Sequence, residues 1–195
     1  MYTTHPRYYP ETTHDLGSFD VRSGELIVSD PCYSLDTWCQ GKLENVRNGE
    51  WRAAVVKGKT DWGNRCWAVL AVHKDFPLKT TAFPELTDIH VGVDSGQAGI
   101  FDAAEYHGGE DDYGDDGWYD LACKQTLDTK LGAGVLKGGV VSSSGFGDGG
   151  YECHVAKDGE QIVGVKITFI VPEDFIPDQD DSDWDEESGD DEGYN

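Results

Sequence analysis

Two glycine-rich segments that carry aspartate and serine are where this chain could do chemistry. They are Gly92-Val93-Asp94-Ser95-Gly96-Gln97-Ala98-Gly99-Ile100-Phe101-Asp102 and Ser142-Ser143-Ser144-Gly145-Phe146-Gly147-Asp148-Gly149-Gly150-Tyr151. Glycine reaches backbone conformations closed to other residues, so such loops bring amides, hydroxyls and carboxylates close to whatever they face. Asp94 and Ser95 make a carboxylate–hydroxyl pair able to hold a cation or a ligand hydroxyl. The same pair at a strand end also caps its own turn by accepting backbone N–H groups. Asp30, Gln97, Asp102, Ser144, Asp148 and Tyr151 complete the candidate ligand-binding set. Within it Asp94, Asp102 and Asp148 are the candidate metal ligands, since clustered carboxylates suit Mg²⁺ or Ca²⁺ where strand ends share one rim.

Several familiar chemistries are missing from the sequence. Ser142–Tyr151 is not a phosphate-binding P-loop, because no Gly-Lys-Ser/Thr follows. It is not a nucleophile elbow either, because Ser144 is followed by Gly145-Phe146-Gly147. The histidines show no HExxH spacing for zinc. Cys153 and His154 are neighbours, so a regular strand points them to opposite faces and they cannot pair. Asp181, Asp183, Asp185 and Glu192 repeat part of a calcium-loop pattern, but Glu186 stands where that loop needs glycine.

The formal net charge is −23. Such a surface repels phosphate backbones, which argues against direct nucleic-acid binding. A basic protein, a cationic or small polar ligand, or a divalent cation is the natural electrostatic partner. The cysteines number five, an odd count without a CxxC pair. They read as small buried apolar residues in reducing cytoplasm. Met1-Tyr2-Thr3-Thr4-His5-Pro6 lacks the apolar stretch of a secretory signal, and no apolar run is long enough to span a bilayer.

The elements that must position these residues are mostly strands. Glycine is abundant, at 25 residues, and short Val/Ile/Trp/Tyr runs recur. After a loose leader over residues 1–15, Leu16–Val21 and Glu25–Ser29 read as a hairpin about Ser23-Gly24. Pro31 ends that pair at Asp30. Residues 35–40 suggest a short helical turn. Trp51–Lys57 and Cys66–His73 form a second antiparallel pair, followed by an irregular crossing over 76–86 with Pro77 and Pro84. Ile89–Val93 is a strand and Ile100–Tyr106 a short helix. Residues 107–117 read as a charged loop, and Trp118–Leu127 is the best helix. Gly134–Val141, Tyr151–Ala156 and Gln161–Val171 form a C-terminal three-stranded meander, with Asp158-Gly159 as a hairpin turn. Residues 173–195 form an acidic tail that cannot bury enough apolar surface to fold alone. The expected fold is mainly β, with α+β as the variant: an antiparallel sandwich or barrel-like sheet over 16–172 with one or two short helices.

Asp30-Pro31-Cys32-Tyr33, the Gly92–Asp102 segment and Ser144–Tyr151 occur in an order and spacing that resemble a family of bacterial and phage proteins known only as a domain of unknown function. The resemblance runs from about Gly24 to Ile170 and leaves the acidic tail outside. It implies a compact, β-rich cytoplasmic domain. It carries no activity across, because that family has no catalytic assignment to transfer. Three functional classes follow from the residues. One is a non-catalytic binding module whose Gly/Asp loops contact a small polar ligand or a protein partner. The second is an acidic protein that imitates a polyanion and inhibits a basic partner. The third is a metal-assisted hydrolase using the loop aspartates.

Overall fold

Runs of β-branched and aromatic residues build the strands that dominate the structure, a computed structural model that describes residues 11–79, 83–109 and 117–171. The strands are β1 (Thr12–Val21), β2 (Leu26–Ser29), β3 (Gly41–Leu43), β4 (Gly49–Thr60), β5 (Gly63–His73), β6 (Glu85–Val93), β7 (Gln97–Asp102), β8 (Ala133–Leu136), β9 (Gly139–Ser143), β10 (Gly149–Asp158) and β11 (Gln161–Thr168). They form two antiparallel sheets, a six-stranded one ordered β1-β4-β5-β11-β10-β6 and a five-stranded one ordered β3-β2-β7-β9-β8. The protein is therefore mainly β, with sandwich-like packing and a single α-helix, α1 (Trp118–Leu127), among the described residues.

The sheets meet over one apolar core. Leu26, Val28, Ala98, Ile100 and Val140 of the smaller sheet pack with Trp51, Val55, Val69, Val165 and Ile167 of the larger one. Removing such apolar surface from water, at about 25 cal/mol per Å², is the main force holding the layers together. The alternate residues of the smaller sheet face outward onto a second cluster. There Ile27, Phe101 and Val141 meet Tyr106, Ala122 and Trp118 from the segment that ends in α1. Phe101, Tyr106 and Trp118 form a ring triad with centroids 5.1–5.4 Å apart. Phe101 lies flat across Gly99 and Gly139, where any Cβ would fall within about 2.5 Å of its ring. Phe83 is buried in the first of these clusters and packs over Gly164, where a Cβ would fall 2.9 Å from its ring. Phe76 and Leu78, at the start of the irregular crossing, also pack against the core, and Arg52 Nη2 donates to the Phe76 carbonyl at 2.7 Å.

The β4–β5 and β10–β11 hairpins form as the turn chemistry expects. Elsewhere the pairing differs. The first two strands are not a hairpin: β1 pairs with β4, whereas β2 pairs with β3 and β7 in the other sheet. Arg22–Glu25 is a crossing between sheets, held by a carboxylate from far along the chain. Residues 100–106 are not a helix, since β7 runs through Asp102 and only a 3-10 turn, Ala103–Glu105, follows. Phe101 needs the flat, alternating exposure that a strand provides. The stretch 134–141 is broken by Lys137-Gly138 into the β8–β9 hairpin. The expected three-stranded meander loses its first member, because β9 lies in the smaller sheet and the second glycine loop crosses to β10 in the larger one. Residues 35–40 contain turns but no helix. Strand β1 begins at Thr12, inside the segment read as leader. The acidic tail, with its calcium-loop match, lies outside the described residues.

Candidate functional site

The two glycine segments leave the larger sheet side by side. Val93, the last residue of β6, pairs with Gly149, the first of β10. The loops then touch, Ser144 N donating to Gly96 O at 3.0 Å. Asp94, Ser95, Ser144 and Asp148 therefore share one rim, as does Asp30 at the end of β2.

Asp30 organises that rim. Its side chain is fully buried. One carboxylate oxygen accepts from Cys32 N at 2.9 Å and Ser95 Oγ at 2.6 Å. The other accepts from Asp94 N at 2.9 Å and Ser95 N at 2.7 Å. A carboxylate has about four lone-pair positions, and here all four are filled by the turn. Gly96 completes the turn at a φ of 70°, a left-handed conformation that glycine adopts without strain. Asp30 thus holds the turn through both of its oxygens, and Ser95 is tied to it by its amide and its hydroxyl.

Asp102 has the same duty elsewhere. It is fully buried and accepts from Arg22 N at 2.8 Å, Ser23 N at 3.2 Å and Ala104 N at 3.3 Å. The Ser23 hydroxyl also donates to it. It caps the crossing between sheets. The β2–β7 register pairs Leu26 with Asp102 and Ser29 with Gly99, so Asp30 and Asp102 occupy opposite ends of that ladder. At ~3.4 Å per residue this is a separation of roughly 13 Å. The expected trio Asp94, Asp102 and Asp148 is therefore not assembled, because Asp102 belongs to the other rim. Among the described residues no three His, Cys, Asp or Glu side chains come together in a way that could hold a metal ion.

Ser144 and Tyr151 are internal to the second loop. Ser144 Oγ donates to Gly147 O at 2.8 Å, and the Tyr151 hydroxyl lies 2.9 Å from Ser144 O and 2.6 Å from Gly147 O. Gln97 bridges the rim to α1, its Oε1 accepting from Thr126 Oγ1 at 2.7 Å and its Nε2 lying 3.4 Å from Cys123 Sγ. Asp94 is exposed, and one of its oxygens accepts from the Tyr33 hydroxyl at 2.6 Å.

Composition had suggested that every cysteine is apolar filling. Cys39, Cys66 and Cys153 are buried, but Cys32 and Cys123 are half-buried beside Ser95 and Gln97. Burial pushes the Cys32 thiol up to about 12, hydrogen bonding and charge from Asp30 add to this, and Ser95 opposes it. Burial likewise pushes the Tyr119 phenol up to about 12, with Ser95 lowering it and Cys123 raising it. These are neutral hydrogen-bonding groups at physiological pH. Tyr33 within the Asp30–Tyr33 motif, Tyr119 and Cys123 are the members that spacing missed. Tyr119 and Cys123 stand four residues apart on α1 and so share a face, but nothing local in the sequence assigns that face to this rim.

The chain has no match among protein-family models, curated proteins or solved structures. No described helix is long and apolar enough to cross a membrane.

Proposed function

We propose that the protein is a non-catalytic binding module in which the two glycine loops present one rim to a small polar ligand or to a partner protein. The observation that carries this reading is the saturation of Asp30. The carboxylate best placed for acid–base work is spent on holding the Asp94-Ser95-Gly96 turn in one conformation. Around the turn lies a binding inventory: the exposed Asp94 with its second oxygen, and the half-buried Tyr33, Tyr119, Cys32 and Cys123, whose polar groups bond to Asp94, Ser95, Asp30 and Gln97. Carboxylate and neutral hydroxyls favour a ligand rich in donors, such as a polyol, an amide or an amine. The resemblance of the loop motifs to a bacterial and phage domain family agrees with a small cytoplasmic module of this kind.

Native mass spectrometry of the full chain, compared with its denatured mass, tests the reading. A small ligand retained by the parent and lost in the Asp94→Asn, Tyr119→Phe double variant supports it. A native mass equal to that of the bare chain, together with no thermal shift on adding polyols or amines, counts against the small-ligand form.

A further inference from the structure

The second glycine loop displays an aromatic side chain that the core does not use. Phe146 is 51% exposed and Trp62, at the tip of the β4–β5 hairpin, is 70% exposed. Their rings meet edge to face, with centroids 5.4 Å apart and planes at 88°. Both carriers are pinned. Trp62 N donates to Thr60 Oγ1 at 3.2 Å, and that hydroxyl donates to Gly63 O at 2.9 Å. The loop is closed by Gly147 N donating to Ser144 O at 3.0 Å and by the Ser144 and Tyr151 hydroxyls. Gly145 and Gly147 take φ values of 65° and 113°, which lets Phe146 stand outward between them. Both rings leave half or more of their surface in water, which a partner can cover.

Charge decides what such a pair would meet. Asp148 follows on the same loop, is exposed and has no hydrogen bond or ion pair among the described residues. Asp94 lies at the same end of the β6–β10 ladder. The hairpin carries Lys59 and Arg65 on its arms and the exposed Asp61 beside Trp62 at its tip, and Asp148 supplies the negative charge on the loop side. The whole chain carries −23. Nucleic acid and anionic membrane are repelled by such a molecule, whereas a cation is drawn both to the chain and to an indole face.

The geometry points to Trp62, Phe146 and Asp148 as a docking surface for a basic segment of a partner protein, with an arginine or lysine side chain on the Trp62 ring and its charge against Asp148. This rests on the binding-module reading and names the partner of its second loop.

The test uses the full chain and two probes, an octa-arginine peptide and a neutral Gly-Ser peptide of equal length, followed by tryptophan fluorescence and calorimetry. The arginine peptide is expected to bind and the neutral one not to. Trp62→Ala and Asp148→Asn should each weaken binding by about five- to tenfold, within the range of a cation–π contact or a partly desolvated charge pair. Asp88→Asn removes an equal exposed charge from β6 and should change affinity by less than about twofold, as a surface charge screened over its Debye length. Equal losses for Asp148→Asn and Asp88→Asn would mean the overall field does the binding, and would overturn the proposal. So would binding that survives Trp62→Ala with Phe146→Ala, or no arginine-peptide binding by the parent. A retained small ligand in those same variants would leave the first-loop reading standing on its own.

Discussion

Replacing Asp30 by asparagine changes one atom at the centre of the rim, and its consequence can be worked from the hydrogen bonds. The aspartate oxygens each accept two, from Cys32 N and Ser95 Oγ on one side and from Asp94 N and Ser95 N on the other. Asparagine keeps one acceptor oxygen and sets an NH₂ group against two donors. Two buried donors then lose their acceptor, at about 1–3 kcal/mol each. Removing a buried charge offsets part of this. We expect a net loss of about 3 kcal/mol, a large share of the roughly 5–15 kcal/mol that holds a domain folded. For a domain of this size that is a fall of roughly 6–12 °C in Tm. Asp94→Asn is the comparison: the site is exposed and the Tyr33 bond has an acceptor in either residue, so the loss should stay within about 0.5 kcal/mol. Urea unfolding followed by tryptophan fluorescence measures both. If Asp30→Asn unfolds within about 1 kcal/mol of the parent, or together with Asp94→Asn, the carboxylate is not what holds the turn.

Three further outcomes are expected. Gly99→Ala sets a methyl 2.2 Å from the Phe101 ring and 2.4 Å from the Val140 carbonyl, and should cost at least about 1–3 kcal/mol as overpacking; a variant as stable as the parent would show that the ring triad has room to move. Cys32 is half-buried, yet its thiol is raised to about 12. At pH 8 it should react with iodoacetamide on the order of a thousandfold more slowly than a free thiol of pKa ~8.5, and peptide mapping showing it labelled at the free rate would refute this. Burial also raises Cys153 to about 12, against a partial lowering by Thr87. An unfolded thiol ionises near 8.5. The stabilisation from the neutral buried thiol is therefore complete below that pH and is lost as pH rises toward about 12. Urea midpoints should fall from pH 9 upward, and less steeply in Cys153→Ala; an equal slope in both proteins would assign the fall elsewhere.

Period and turn chemistry were enough to recognise a mainly β fold, sandwich or barrel-like, with a helix at Trp118–Leu127 and the β10–β11 hairpin with its Asp158-Gly159 turn. Each of these is encoded within a few residues of itself. The same signals misassigned the crossings. Ser23-Gly24 and the Ser144–Asp148 loop have the composition of hairpin turns, but each passes from one sheet to the other. Residues 100–106 have too few alternations to tell a strand from a short helix. The two Gly/Asp segments lie side by side, and Asp30, Asp94, Ser95 and Gln97 gather with Ser144, Tyr151 and Asp148 on one rim, whereas Asp102 lies at the other end of the β2–β7 ladder.

What the sequence determined by itself is therefore local: which stretches extend, which turn tightly, where carboxylates sit beside glycine, and how acidic the molecule is. Tertiary structure decided the rest. Asp102 reaches Arg22 across 80 residues of sequence and so makes a sheet crossing of an apparent hairpin. Asp30 reaches Ser95 across 65 and so becomes the keystone of a turn rather than a free acid. Such bonds gain their strength from burial, and burial is conferred only when both sheets have closed over the carboxylate.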